Sequence, residues 1–279
     1  MTLPTFVAEL PSRAMISVGG ADWRSFLQGL ITQDVETLTD GEARFAGFLT
    51  PQGRLLFDLF VIGAGDGCLI DCAADPRDAL IQRLAIYRLR AKVDIAPSDL
   101  TVLALWGSSA VPTEWSADLR LPALGWRGYG AAAPAGATRV DEAAYEAHRL
   151  ALGVPGPADW GVEATYPIEA NFDLLNGIDF KKGCFVGQET TSRMKRRGAI
   201  KSRMILVTFA GAPPAHGSEL LAGPLRAGVV LSGAKGAAMS LLRLDRLEAG
   251  PLTLPDGRPW RPVWPGWLKS VARASSPQL

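Results

Sequence analysis

Two apolar runs, residues 45–49 and 54–62, stand on either side of Thr50-Pro51-Gln52-Gly53. Their aromatic and branched residues favour strands, and the proline and glycine between them suit a tight reversal, so this segment reads as a β-hairpin. Upstream, Met15-Ile16-Ser17-Val18 reads as a strand, Gly19-Gly20 as a turn, and Asp22 as the cap of a helix. That helix places Trp23, Phe26, Leu27 and Leu30 on one buried face. Asp75-Pro76 opens a second helix running to about Arg90, with proline at its first position, and Asp141 caps a third that closes at Gly153 and Pro155. Residues 107–140, rich in Gly, Ala and Pro, give weak helix and strand signals. From about residue 200 the texture changes to short apolar runs, 205–209, 225–231 and 237–244, broken by glycine or proline. Such spacing predicts a small antiparallel barrel or sandwich. A chain of 279 residues, 48% hydrophobic, exceeds a comfortable single core, so more than one packed unit is expected.

The 29 basic and 28 acidic side chains give a formal charge of +1, so no global field draws nucleic acid or an anionic membrane. Met1-Thr2-Leu3-Pro4-Thr5-Phe6 lacks a basic segment followed by an apolar one, and no run approaches the roughly 20 apolar residues that span a bilayer. A cytoplasmic protein is expected, without membrane or direct nucleic-acid contact. Nothing points to an obligate assembly, and a monomer is expected. The three cysteines are free thiols on this reading. Cys68 and Cys72 act as small hydrophobes in a strand, because no third ligand follows closely enough to complete a zinc or cluster motif. No metal site is expected.

Chemistry concentrates in Pro167-Ile168-Glu169-Ala170-Asn171-Phe172-Asp173 and in Phe180-Lys181-Lys182-Gly183-Cys184-Phe185-Val186-Gly187-Gln188-Glu189, with Arg193 beyond. Gly183 and Gly187 flank the cysteine where a missing side chain permits special backbone angles or close approach to a ligand. Two lysines just upstream, and a helix starting near Gly187-Gln188-Glu189, would favour the thiolate of Cys184. The residue types equally allow Cys184 to fill a small core pocket while the lysines form a solvated turn.

Lys182 to Glu189, Lys-Gly-Cys-Phe-Val-Gly-Gln-Glu, resembles the signature of the YgfZ-type folate-binding proteins. Further segments agree in order: Arg24-Ser25-Phe26-Leu27-Gln28-Gly29, Pro51-Gln52-Gly53-Arg54, Tyr87-Arg88-Leu89-Arg90-Ala91-Lys92-Val93 and Gly153-Val154-Pro155. The resemblance implies an α+β fold like that of the aminomethyltransferase T-protein, with two interleaved antiparallel α+β units in residues 1–199 and a C-terminal β-barrel in residues 200–279. It also implies a tetrahydrofolate-binding accessory role toward iron–sulfur enzymes, including tRNA-modifying ones, with folate, client enzymes and cluster carriers as partners. Transferase turnover is not expected.

By this resemblance Asp58, after Gly53-Arg54, is the ligand-facing carboxylate. Cys184 and Lys182 join it as the chemically active residues. Tetrahydrofolate or a one-carbon derivative is the expected cofactor, bound by Asp58, Glu169, Asn171, Gly183, Gly187, Gln188, Glu189, Arg193, Arg90 and Lys92, the last three as candidates for the glutamate tail. Asp58 also reads as the polar side of a half-exposed strand, and Glu169 and Asn171 as residues securing a loop after Pro167. Gly128-Tyr129-Gly130-Ala131 lacks the acid that helps hold the pterin in the T-protein. The competing reading is a folate-dependent one-carbon transferase with Asp58 as acid or base and Cys184 structural.

Overall fold

The computed structural model describes residues 4–107, 113–198 and 200–271. The chain runs through β1 (Phe6–Glu9), β2 (Arg13–Gly19), α1 (Trp23–Gln28), β3 (Ala43–Leu49), β4 (Leu55–Ala64), β5 (Gly67–Ala73), α2 (Arg77–Arg88) and β6 (Asp94–Ser98). It continues through β7 (Val102–Trp106), β8 (Trp115–Ala117), β9 (Trp126–Tyr129), β10 (Thr138–Val140), α3 (Glu142–Ala151), α4 (Pro157–Trp160) and α5 (Gln188–Arg197). The C-terminal part holds β11 (Ser202–Phe209), β12 (Glu219–Ala222), β13 (Leu225–Ala234), β14 (Ala237–Arg243), β15 (Leu252–Thr253) and β16 (Trp260–Pro262).

β1 belongs to a sheet of order β10-β1-β7-β9-β8, but the chain leaves it at once, builds a second sheet of order β3-β4-β5-β2-β6, and returns only at β7. The two units are therefore interleaved, as expected. Their pairs are antiparallel except β1 with β10, which is parallel. β3 and β4 form the expected hairpin, with Phe45 opposite Phe60 and Gly47 opposite Asp58. β11 to β16 make a third sheet, order β15-β12-β13-β14-β11-β16, whose edges meet through a bridge between Thr253 and Pro259. This is the near-closed barrel that the change of texture near residue 200 foretells.

Local details depart from the sequence reading in three places. The Asp22 carboxylate does not cap α1: it accepts from the backbone of Lys92 at 2.7 Å, pinning the segment before β6. α2 starts after Pro76 rather than with it, and stops at Arg88. Among the described residues of 107–140, weak by pattern, lie three strands, β8 to β10, each of only three or four residues and too short to show a period. Asp141 does cap α3, accepting from Ala144 N at 3.0 Å.

One apolar core joins all three sheets. Phe45, Phe60, Trp160 and Phe172 meet Met204, Leu206 and Met239 of the barrel in a single cluster, with Phe45 and Phe172 centroids 4.7 Å apart. A second cluster packs Trp23, Phe26 and Leu27 of α1 and Leu80 and Leu84 of α2 on the β2–β5 sheet, with Cys68 and Cys72 among its members. Among the described residues no helix is long and apolar enough to cross a membrane.

Candidate functional site

The alternation of β4 turns Asp58 and Phe60 to the same side, and the register sets Asp71 of β5 opposite Phe60 and Met15 of β2 opposite Asp71. Arg13, two residues from Met15, shares that side. Its guanidinium donates to Asp58 at 2.8 Å and to Asp71 at 2.6 Å. From the other sheet Arg127 reaches Asp71 at 2.5 Å and Asp118 at 3.2 Å, while lying 3.9 Å over the Phe60 ring. Arg120 closes the chain on Asp118 at 2.7 Å and on the Tyr145 hydroxyl at 2.9 Å. Three arginines thus balance three aspartates in a buried ladder between the sheets, which is what buried charges require. For Asp118, burial alone would raise the carboxyl, but Arg120 and Arg127 outweigh it and hold the group down at about 2. The sequence reading singles out none of Arg13, Asp71, Asp118, Arg120, Arg127 and Tyr145 as a site residue. The available signal was Asp58 and Asp71, carboxylates inside apolar strand runs that must be answered by buried cations.

Asp58 stands at the end of this ladder and at the wall of a cavity of about 660 Å³. One carboxylate oxygen is held by Arg13; the other has no protein hydrogen bond among the described residues. Leu56, Phe57, Pro157, Trp160 and Val162 supply apolar wall, and Asp75, Glu142 and Glu146 the remaining charge. Glu142 is engaged by Ser12, whose hydroxyl donates at 2.5 Å, and Glu146 by Arg149 at 2.6 Å. Burial would raise the Glu146 carboxyl; the hydrogen bonds and charge of Arg149 keep it low. The volume lies in the range of small-molecule sites. Among the described residues no lysine or arginine lines it.

Cys184 lies on a loop fixed at both ends. Before it, the Lys182 ammonium donates to the carbonyls of Ile31 and Gln33 at 2.7 and 2.8 Å, and Asp179 receives the backbone N–H groups of Lys181 and Lys182. After it, Phe185 is buried and the Val186 N–H donates to Gly29 O at 3.1 Å. Burial pulls the Lys182 pKa down to about 8 despite Asp34 and Asp179. The lysine is a clamp for the loop, with its charge directed at carbonyls. The thiol of Cys184 is exposed, whereas burial pushes Cys68 and Cys72 up to about 12. Gly187 caps α5 at φ +80° and packs on the Thr50–Gly53 turn, so the hairpin that carries Asp58 in its stem carries the cysteine loop at its tip.

The remaining candidates part company. Gly183 has open space around it, unlike Gly187. The Gln188 side chain reaches back to Gly183 O at 3.5 Å, and Glu189 is an exposed partner of Arg193 at 3.9 Å. Asn171, at φ +61°, is fully buried: its amide donates to Met204 O at 2.7 Å and accepts from Arg203 at 3.0 Å. It therefore bolts the 165–178 segment to β11 and does not line the Asp58 cavity. The Glu169 carboxylate accepts from Tyr166 N at 3.0 Å, and burial raises its pKa. Arg90 and Lys92 border a separate depression beside Gly20 and Arg88. Neither they nor Arg193 line the Asp58 cavity, so the proposed grouping of these cations around a ligand tail is not formed. Tyr129, in the lookalike segment without the acid, buries a hydroxyl that has no hydrogen-bond partner among the described residues.

Comparison with known proteins fits this arrangement. Residues 201–270 match the CAF17 C-terminal β-barrel domain. The chain is 36% identical to the mitochondrial iron–sulfur cluster assembly factor IBA57 homolog of Mycosarcoma maydis, over 75% of this chain and 59% of that protein. It thus spans less than two thirds of that relative's length. It is 31% identical to human mitochondrial IBA57, over 88% of this chain and 79% of the human protein. These relatives are mitochondrial, which overturns the cytoplasmic expectation drawn from the N-terminal residues. The structure of glycine cleavage system aminomethyltransferase T from Bartonella henselae superposes with a TM-score of 0.74 at 18% identity, covering 94% of this chain and 86% of that one, and shares the fold. The YgfZ resemblance is therefore narrowed to a related group, and the chain belongs to the IBA57 family.

Proposed function

We propose that this chain is an accessory factor in iron–sulfur cluster assembly that works through the thiol of Cys184, with the cavity beside Asp58 taking tetrahydrofolate or a one-carbon derivative. The observation that carries the reading is the exposed Cys184 on a loop clamped by Lys182 and Phe185, in a chain whose relatives are named cluster assembly factors. Among the described residues no three His, Cys, Asp or Glu side chains are placed to hold a metal ion. Cluster irons need several thiolate ligands. Cys184 therefore supplies one contact, and a carrier or client protein, tRNA-modifying enzymes included, supplies the rest.

For folate, the apolar walls suit the pterin ring and the free Asp58 oxygen suits its N–H donors. Among the described residues the lining offers no lysine or arginine to the tail carboxylates, which would be left to solvent. When bound, the folate would supply a carrier for a one-carbon unit; the chain's own residues hold and orient the ring, with Arg13 fixing Asp58. A transferase using Asp58 as acid or base is the second reading, favoured by that same free oxygen.

The test is delivery of a [2Fe–2S] cluster from a purified carrier to an apo-enzyme, together with anaerobic calorimetry using tetrahydrofolate. Cys184→Ala is expected to abolish delivery while leaving the fold intact, and Asp58→Asn to weaken folate binding. Undiminished delivery by folded Cys184→Ala removes the thiol from the mechanism, and no folate binding at millimolar ligand removes the cofactor. Turnover of an aminomethyl or methyl donor would favour the transferase.

A further inference from the structure

The near-neutral total hides a strong separation of charge. Residues 1–179 carry 13 Lys and Arg against 23 Asp and Glu, whereas residues 180–279 carry 16 against 5. From residue 190 to residue 218 there is no acidic side chain at all. The boundary between the two halves falls at the loop that presents Cys184, and α5, which follows it directly, is the most basic helix of the chain.

Basic residues line three depressions on α5 and the barrel, the first two of which share Lys195. A depression of about 550 Å³ is lined by Phe180, Gln188, Glu189, Ser192, Lys195 and Arg196, two cations against one carboxylate. Lys195 also borders the next, of about 520 Å³, together with Lys201, the buried Arg203 and the carboxylates of Asp173 and Asp245. A third, of about 370 Å³ on the barrel, is ringed by Arg226, Arg243 and Arg246, with Ser202 in its wall. Some of these charges are answered locally: Asp173 engages Arg203 at 2.8 Å and Lys195 at 3.5 Å, Glu219 engages Arg226 at 3.4 Å, and Asp245 engages Arg243 at 2.7 Å. Among the described residues Lys181, Arg196 and Lys201 form no ion pair with a carboxylate, and Arg246 acts on Asp245 without a direct ion pair.

We infer that this face, from the Cys184 loop along α5 onto the barrel, is a docking surface for an acidic protein surface. A protein is favoured over RNA because strand recognition uses aromatic stacking platforms, and the exposed ring on this face, Phe180, lies 5.2 Å beneath the Lys195 ammonium. The partner's identity as a cluster-bearing protein rests on the function proposed above; its charge does not. Complementary charge steers encounter and fixes orientation more than it adds affinity. A partner so steered arrives with its acidic surface on α5 and its ligands beside Cys184.

The test measures thiol–disulfide exchange at Cys184 with two short peptides, one rich in Glu and one rich in Lys, each carrying a single cysteine as its mixed disulfide with thionitrobenzoate. The Cys184 thiolate attacks the peptide sulfur, the new disulfide forms, and thionitrobenzoate leaves as a coloured thiolate. Cys68 and Cys72 are buried and Cys184→Ala gives the background. At low salt the Glu peptide is expected to react about tenfold faster than the Lys peptide, or more. That preference should collapse near 0.5 M salt, where the screening length is only about 4 Å. It should reverse in Lys181→Glu/Arg193→Glu/Arg196→Glu. Equal rates, or a preference unchanged in that variant, overturn the inference. So does an oligouridylate of matched charge that blocks the reaction at lower concentration than a free Glu peptide, since the face would then be an RNA surface. Charge-dependent rates with intact cluster delivery by Cys184→Ala would sink the proposed function and leave the surface standing; lost delivery with equal rates would do the reverse.

Discussion

Gly53 and Gly187 close on each other: a Cβ on Gly187 would sit 2.9 Å from the Gly53 Cα and 2.6 Å from Thr50 O, and a Cβ on Gly53 would sit 3.1 Å from Gly187 O. Both are left-handed, at φ +83° and +80°. This contact joins the β3–β4 turn to the cap of α5, and so holds the cysteine loop in place. Gly187→Ala is therefore expected to destabilise the protein by about 2–3 kcal/mol, from the backbone conformation and the clash together. Gly183→Ala, with nothing within 4 Å and no left-handed angle, should be close to neutral. Urea unfolding of both variants checks this, and equal losses would mean that the glycine contact does not matter.

How far the sequence discloses this arrangement depends on the range of the interaction. The β3–β4 hairpin and the barrel were legible because their signals are local, apolar runs broken by turn residues. The segment around Cys184 stood out through its motif, and the structure places that cysteine on an exposed loop. The role of Lys182 was not, since its partners, Ile31 and Gln33, lie about 150 positions away and offer only backbone carbonyls, which no side-chain pattern marks. Asn171 reads as a ligand or as a loop anchor until Met204 O and Arg203 are seen beside it. Arg90 and Lys92 illustrate the opposite error, because exposed cations near a motif carry no information about which cavity they border.

The contrast among the cysteines is directly measurable. With Cys68 and Cys72 buried and pushed up to about 12, native protein should take up one equivalent of iodoacetamide near pH 8, at Cys184. All three should react after unfolding. Intact-mass spectrometry reads the count, and a second rapid adduct on the native chain would contradict the burial.

Lys182 carries a pH signature of defined sign. Its folded pKa of about 8 lies below the unfolded 10.5, so between these values the unfolded chain binds a proton that the native chain has released. Stability relative to Lys182→Met should therefore rise with pH across that window, by up to about 3 kcal/mol, and be flat below it. Denaturant curves of the pair at pH 7, 8, 9 and 9.5 test this, and a difference that falls with pH would reverse the assignment.

Asn171 is the bolt between the two parts of the chain. Its left-handed backbone suits asparagine, and both ends of its amide are used by the barrel strand β11. Asn171→Ala loses both bonds and leaves Met204 O buried without this donor, at an expected cost of about 2–4 kcal/mol. Hydrogen exchange should show the loss first at β11, and a uniform change across the chain would argue against a local anchor.

The aspartate–arginine ladder that fixes Asp58 should fail in acid in a predictable window. Asp118 titrates at about 2 in the folded chain against an ordinary value of 3.8, so its contribution is complete above about pH 4 and disappears as the pH falls toward 2. Asp118→Asn leaves Arg120 and Arg127 buried beside a neutral group, and should cost about 3–5 kcal/mol at pH 7. Because wild type loses its advantage on protonation, the gap between the two proteins should narrow by about 2 kcal/mol between pH 4 and pH 2. Parallel pH profiles would place the charge of the ladder elsewhere. If the ladder also holds Asp58 for its ligand, Asp118→Asn should weaken folate binding at pH 7 although residue 118 does not border the cavity. Calorimetry on the folded variant separates that positioning effect from simple loss of stability.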